Sequence, residues 1–322
     1  MNIVITDYSF PDLGIETGII EGAGHRLVAW KERRSATELR ELVADADAVI
    51  TQFAPVNAEV IAAMSRAKAI VRYGIGVDNV DLAAARDRGI PVCNVPDYCI
   101  DEVADHTLAF LLAVTRQVVP NALHVRSGSW GLATPLSGLQ TLKNMTIGVV
   151  GFGRIGREVA LRLRAFRCWM LVFDPMVPAD VIRDHGGEPA SLAELLVAAD
   201  AITLHCPSTP ETRGLLNAES LKLTKPGVIV VNLARGDLID PAALVAALQS
   251  GHVSAAALDV FSPEPIPAGH PILSLPQVVL ASHIASASVP AVRRLRETAA
   301  GLALAAVEGR PLPNVVNGVR ST

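Results

Sequence analysis

Short apolar runs alternate with amphipathic stretches along almost the whole chain. Up to residue 97, runs at 2–6, 26–30, 48–53, 69–73 and 91–95 predict β-strands, and stretches at 37–46, 58–66 and 80–88 predict helices between them. A longer amphipathic stretch, 101–126, predicts one continuous helix. The polar, glycine-containing segment 127–142 that follows is too long for an ordinary connection and is expected to lie as an arm on a partner. Further strands are predicted at 147–150, 169–173, 201–206, 228–233, 254–260 and 278–282, with helices at 192–199, 241–249 and 289–308. Strands alternating with helices imply an α/β chain with parallel sheets. The pattern divides into two doubly wound, Rossmann-like domains. One comprises 1–97 plus a returning 288–322; the other, 98–287, carries the long helix and the arm.

Only the second domain has a phosphate-binding turn. Residues 146–174 read TIGVVGFGRIGREVALRLRAFRCWMLVFD: strand, glycine-rich turn, amphipathic helix, strand and terminal acid. This is a complete dinucleotide-binding unit, far more specific than an isolated GxGxxG. Gly151 makes the tight turn, Gly153 lets the backbone approach a pyrophosphate, and Gly156 lets helix and strand pack closely. The helix N-terminus that follows offers N–H groups and a positive dipole end to the phosphates. Asp174 ends the second strand, where a carboxylate accepts from the adenosine ribose hydroxyls and repels a 2′-phosphate. Pro175, Met176 and Val177 supply no cation to rescue a phosphate, and the first one is Arg183. The expected cofactor is NAD rather than NADP.

Composition narrows the setting. Of the 322 residues 50% are hydrophobic, enough for two cores, and the formal net charge of −4 gives no electrostatic case for nucleic acid or an anionic membrane. The chain begins directly in a strand pattern, and no apolar run approaches the ~20 residues of a membrane span, so a soluble cytoplasmic protein is expected. Four cysteines (Cys93, Cys99, Cys168, Cys206) lack metal-ligand spacing and read as reduced, buried thiols; no metal is expected.

In open parallel sheets, ligands bind outside the carboxyl ends of the strands. Three polar residues follow strands there: Arg235 in NLARG, Glu264 in FSPEP and His283 in SHIAS. Singly, each also reads as structural: an arginine in a surface ion pair, a glutamate in a polar turn, a histidine satisfied by backbone. Together they make a chemistry. Reduction of a ketone delivers hydride to carbon while the oxygen gains a proton, and histidine is the usual donor near neutral pH. A carboxylate against the imidazole favours imidazolium and fixes the ring. A guanidinium grips a substrate carboxylate bidentately and polarises the adjoining carbonyl.

The segments GVVGFGRIGRE, VVNLARGDLIDPAALVAAL, AAALDVFSPEP, ASHIAS and VRYGIGVDNVDLAAARDRGIPVCNVP together resemble the D-isomer-specific 2-hydroxyacid dehydrogenase family over almost the whole chain. The resemblance implies a flavodoxin-like substrate domain beside the NAD-binding domain, a homodimer, and a 2-keto or 2-hydroxy acid as substrate. It assigns Arg235, Glu264 and His283 as the catalytic arginine, glutamate and histidine, and Asp259 to the nicotinamide carboxamide. Arg154, Ile155, Asp174, Leu233, Ala234, His205, Cys206, Pro207 and Thr212 would line the cofactor, with Gly151, Gly153 and Gly156. Backbone N–H groups of Ile75 and Gly76 would hold the substrate carboxylate; the same turn is a potential anion-binding nest.

Within the family, TQFAPV and VCNVPDYCIDEVADHTL are most similar to the branch that includes the C-terminal-binding-protein corepressors. Phosphoglycerate dehydrogenases carry an arginine in a V-R-S-x-T stretch where this chain reads Ile50-Thr51-Gln52-Phe53-Ala54, and many continue into a regulatory domain for which no residues follow 322. Both weaken the expectation of a phosphorylated substrate. Formate dehydrogenases have glutamine in place of Glu264, and the corepressors keep a tryptophan shortly after the histidine, where this chain runs Ile284-Ala285-Ser286-Ala287-Ser288. Phe53 is either a pocket wall or a core aromatic; Arg72 either reaches a substrate anion or makes a structural ion pair. Tyr98 and His106 are further candidates for the ligand-facing side, with His106 read foremost as a packed or partner-facing helix residue. The rival to an enzyme is an NAD(H)-sensing binding module with little turnover; the intact Arg–Glu–His set and the lack of a low-complexity tail favour the enzyme.

Overall fold

The computed structural model describes residues 1–32 and 34–320; residues 321 and 322, in the expected returning segment 288–322, lie outside the described residues. The chain divides into two compact units, Met1–Tyr98 with Ser288–Thr322, and Cys99–Ala287.

The first unit runs β1 (Asn2–Ile5), α1 (Gly14–Ile20), β2 (Arg26–Ala29), α2 (Ala36–Val43), β3 (Ala48–Thr51), α3 (Ala58–Ala63), β4 (Ile70–Arg72), α4 (Leu82–Asp87) and β5 (Val92–Cys93). Its five strands pair in parallel in the order β2-β1-β3-β4-β5, the flavodoxin-like arrangement. The strands read as unbroken apolar runs because helices cover both faces, and every residue of β3 and β4 is buried. Local chemistry starts the helices: Ser35 and Glu38 form a reciprocal capping box before α2, and the Asn57 and Asp81 side chains cap α3 and α4.

The second unit contains α5 (Ile100–Thr115), α6 (Val118–Arg126), β6 (Thr146–Val150), α7 (Arg154–Phe166), β7 (Trp169–Phe173), α8 (Ala179–Asp184), β8 (Glu188–Pro189), α9 (Leu192–Ala198) and β9 (Ala201–Leu204). It continues with α10 (Ala218–Lys222), β10 (Val228–Asn232), α11 (Pro241–Gln249), β11 (Val253–Leu258) and β12 (Val278–Leu280). Seven parallel strands lie in the order β12-β11-β10-β9-β6-β7-β8. The order reverses between β6 and β9, the switch point at which a doubly wound sheet binds its nucleotide.

The last helix, α12 (Val289–Val307), belongs to the first unit, with Ser288 capping it and Pro290 in its first turn. Its Arg296 makes a bidentate pair with Glu16 of α1 at 2.9 and 2.7 Å. The Glu16 carboxylate also accepts from the Tyr73 hydroxyl at the end of β4. Beyond α12, Val315 bridges antiparallel to Cys93, and Asn317 accepts from the Val92 N–H while donating to the Ile90 carbonyl. The tail therefore covers the open edge of β5.

Several elements differ from the sequence expectation. The continuous helix over 101–126 is two helices bent by 63°, with Gln117 left-handed at φ 51° between them. Pro120 is the cause: it has no N–H for an unbroken helix and is tolerated in the first turn of a new one. The short helices α1, α8 and α10 and the edge strand β8 were not expected. Glycines 14 and 18 mask α1, and Pro189 is admissible in β8 because that strand is an edge. Cys93 and Cys99 are buried, but Cys168 and Cys206 are only half-buried. No single helix among the described residues is long and apolar enough to cross a membrane.

Candidate active site

β6 delivers the glycine-rich turn to the switch point. Gly151 has φ 92°, and a Cβ there would run into the backbone of His205 and Cys206 at the end of β9. A Cβ on Gly156 would strike the Gly151 carbonyl oxygen, so helix and strand are as close as two backbones allow. A Cβ on Gly153 would meet open space, and α7 begins there without a side-chain cap. An uncapped N-terminus behind an open glycine is a cradle for a pyrophosphate, with Arg154 and Ile155 opening the helix. The chain fits NAD at this point.

Asp174 closes the turn from β7. Its Oδ2 accepts from the Phe152 N–H at 2.6 Å and its Oδ1 from the Met176 N–H at 2.9 Å, which fixes the carboxylate while leaving lone pairs for ribose hydroxyls. On the other side, His205 bonds through Nε2 to Thr203 at 2.9 Å, and burial pushes its pKa down to about 4, so the ring is neutral at physiological pH. Burial, with a contribution from the Asp174 charge, pushes the Cys206 thiol up to about 11. The loop beyond is tied by Thr212, whose hydroxyl donates to the Pro207 carbonyl at 2.6 Å.

The three strand-end residues come together at β10, β11 and β12. Asn232, the last residue of β10, accepts from the Ala234 N–H and donates to the Arg235 carbonyl, a side-chain turn that presents Arg235 just after Leu233 and Ala234. Glu264 lies in the turn between two cis prolyl bonds, Ser262–Pro263 and Glu264–Pro265, and its Oε1 accepts from the Phe261 N–H at 2.9 Å. Its Oε2 lies 2.8 Å from His283 Nδ1. Burial would raise the Glu264 carboxyl, but the His283 hydrogen bond and charge, the Phe261 amide and the Arg235 charge together hold it below its ordinary value. A persistent carboxylate faces the imidazole, and Arg235 is close enough for its charge to act on that carboxylate.

Asp259 stands under the histidine. It is 1% exposed; its carbonyl accepts from the His283 N–H at 2.7 Å, and its two carboxylate oxygens accept from Ile284 and Ala285 at 2.8 Å each. These bonds fix the Asp259 carboxylate against the turn that carries His283. Asn232 and the turn-holding part of Asp259 escaped the sequence reading. The side-chain signals, an Asn before a strand-end Arg and a buried Asp ending a strand, were present without their partners.

The remaining candidates, Phe53, Ile75 and Gly76, belong to the first unit. Gly74, with Arg72 folded over it, leads into Ile75, whose carbonyl accepts from Asn94 at 2.6 Å. The Arg72 guanidinium lies 5.8 Å from the Phe53 ring centre. Tyr98 is buried, and His106 packs edge-on against Phe110 of α5 at 4.5 Å.

Comparison with known proteins agrees with this architecture. The family model for the NAD-binding domain of D-isomer specific 2-hydroxyacid dehydrogenases matches residues 108–285. Over 291 residues the chain is 42% identical to D-3-phosphoglycerate dehydrogenase of Mycobacterium leprae, covering 90% of this chain and 54% of that protein. The chain thus spans about half the length of that curated relative. Against a glyoxylate reductase of Korarchaeum cryptofilum it is 38% identical over 293 residues, covering 89% of this chain and 88% of the relative. The structure of D-lactate dehydrogenase from Aquifex aeolicus, complexed with NAD and lactic acid, matches with a TM-score of 0.86 at 28% identity over 96% of each chain. On the sequence match, the sheet order and the nucleotide turn together, the chain belongs to the D-isomer specific 2-hydroxyacid dehydrogenase family, with NAD as cofactor.

Proposed function

We propose that the protein reduces a 2-keto acid to a D-2-hydroxy acid with NADH, and catalyses the reverse oxidation with NAD. The observation that carries the reading is the 2.8 Å contact between His283 Nδ1 and Glu264 Oε2, made at strand ends next to Arg235. When bound, the nicotinamide would supply or accept a hydride; everything else falls to groups of the chain itself. Arg235 grips the substrate carboxylate and draws charge toward the carbonyl oxygen. His283, anchored through Nδ1, donates a proton from Nε2 to that oxygen on reduction and takes it back on oxidation. Glu264 stabilises the imidazolium and fixes the ring plane, while Asp259 holds the backbone turn beneath it. The Gly153 amide region and the α7 N-terminus hold the pyrophosphate, Asp174 the adenosine ribose, and Leu233, Ala234 and the 205–207 stretch the rest of the cofactor. In the first unit, Ile75 and Gly76 N–H groups take the substrate carboxylate and Phe53 meets its side chain.

NADH consumption with glyoxylate, hydroxypyruvate, pyruvate, phenylpyruvate and phosphohydroxypyruvate tests the reading. Turnover of at least one of these is expected. Tight NADH binding with no turnover on any of them would overturn it in favour of an NAD(H)-sensing binding module.

We also propose that the protein is a homodimer paired through α6 and the segment after it. Leu123, Trp130 and Leu136 are 62%, 91% and 72% exposed there, large apolar side chains that a second copy would cover. A monomeric mass by light scattering at micromolar concentration would sink this.

A further inference from the structure

We infer that Asp7 is a positioning residue that stations Phe53 and thereby sets which keto-acid side chains are accepted; this rests on the dehydrogenase reading above. Asp7 follows β1 and is 2% exposed. Because β1 and β3 run in parallel with Ile5 opposite Ile50, the carboxyl ends of both strands emerge side by side. The Asp7 carboxylate fills the space between them. Its Oδ1 accepts from the Thr6 hydroxyl at 2.9 Å, the Gln52 N–H at 3.0 Å and the Thr51 hydroxyl at 3.4 Å. Its Oδ2 accepts from the Phe53 N–H at 2.7 Å.

Among the described residues no ion pair joins Asp7. A buried carboxylate without a cation is expensive, and only a full set of donors makes it tolerable. A plain strand-to-loop turn needs no such group. What the charge provides is two short, charge-assisted bonds to consecutive amides, which leave Gln52 and Phe53 no freedom to rotate. A second tie acts on the same turn: the Gln52 side-chain oxygen accepts from the Ser9 N–H at 2.6 Å. The Phe53 ring then stands 5.8 Å from the Arg72 guanidinium, which covers Gly74 immediately before Ile75 and Gly76. Asp7 thus fixes an aromatic surface beside the amides assigned to the substrate carboxylate, where the substituent on the keto carbon must lie.

The test compares glyoxylate, which has no side chain, with the bulkiest keto acid of the panel that the parent turns over. In Asp7→Asn the amide can no longer accept from both backbone N–H groups. The KM for the bulky acid should rise on the order of tenfold, with the glyoxylate KM, kcat on both acids and NADH affinity within about threefold of the parent. In a Phe53→Ala background the same substitution should leave the ratio of the two KM values where Phe53→Ala alone puts it. Unchanged KM values in folded Asp7→Asn, or an undiminished effect in the Phe53→Ala background, would overturn the inference. If Asp7→Asn does not fold, Asp7→Glu, which keeps the charge but pushes the carboxylate one methylene into the turn, is read in the same way. Phe53→Leu must itself shift the ratio; if it does not, the inference fails whatever the Asp7 variants do. Failure of the dehydrogenase reading is distinct, because the parent would then turn over no keto acid at all.

Discussion

Asp259 and His283 are joined through the backbone, and the Asp259 side chain fastens the two residues that follow: the His283 N–H donates to the Asp259 carbonyl at 2.7 Å, while the carboxylate takes the next two amides at 2.8 Å each. His283 has φ 57°, a left-handed conformation uncommon outside glycine, and these bonds over-determine it. The strain is local to the residue whose ring meets Glu264. In Asp259→Asn one of the two amides faces an NH2 group instead of an acceptor. Stability should fall by about 1–3 kcal/mol, the cost of an unsatisfied buried donor, and kcat should fall with it as the ring leaves its position. Urea unfolding of the variant together with steady-state rates checks both; parent values for the two would mean the turn holds itself.

Asp174 makes a separate prediction about the nucleotide. On its proposed role, Asp174→Ala would remove the ribose acceptor and the repulsion toward a 2′-phosphate, and it also frees the Phe152 amide that the carboxylate now holds at 2.6 Å. NADH should bind about tenfold or more weakly, as expected for losing a charged hydrogen bond, and the margin over NADPH should narrow. Fluorescence titration with both nucleotides measures this. A parent enzyme that already uses NADPH as well as NADH would contradict the role given to Asp174.

The parts of the fold legible in the sequence are those whose cause is local. Parallel strands buried on both faces, such as Val228–Asn232, read as apolar runs, and the turn from Gly151 to Gly156 carries its own signature. What stayed hidden depends on distant partners or on single residues that override a pattern. The stretch from Asp101 to Arg126 keeps helical periodicity across a break set by Pro120 alone. The helix from Gly14 to Ile20 has poor propensity and a charged residue, Glu16, on its buried face, which is intelligible only with Arg296, 280 residues away. At the site, Arg235, Glu264 and His283 could be named from their strand-end places, whereas Asp7 could not: its Gln52 and Phe53 amides lie 45 and 46 residues downstream.

The pair of Glu16 and Arg296 carries a stability prediction. Both side chains are buried, the contact is bidentate at 2.9 and 2.7 Å, and Tyr73 completes the set. Burial pushes the Tyr73 phenol well above its usual value, with the Glu16 charge adding to it, so the hydroxyl remains a donor across the physiological range. Glu16→Gln keeps the shape but leaves a buried guanidinium with only the exposed Asp12 as a charged partner. A loss of about 3–5 kcal/mol is expected, since breaking one side of a buried pair strands the other charge. Replacing both residues by apolar ones of similar volume should cost much less. Denaturant unfolding of the two variants tests this, and equal losses would show that the packing, not the charge, matters.

The most direct test concerns Glu264 and His283. His283→Ala should slow keto-acid reduction by on the order of 10²–10⁴-fold with NADH affinity nearly unchanged, because the loss falls on proton transfer. Glu264→Gln separates charge from shape. Despite its burial, Glu264 is held below its ordinary carboxyl value by His283, Phe261 and Arg235, so it remains charged at neutral pH and gives up that charge only as pH falls through the lowered value. The stability it contributes is present above the ordinary carboxyl value and is lost on acidification, not on raising the pH. Glu264→Gln should therefore slow reduction, because the ring loses its charged anchor at 2.8 Å, and should lose the acid-side dependence of stability that the parent carboxylate brings. A Glu264→Gln enzyme with parent turnover and parent acid stability, or a His283→Ala enzyme with near-parent turnover, would assign proton transfer to another group.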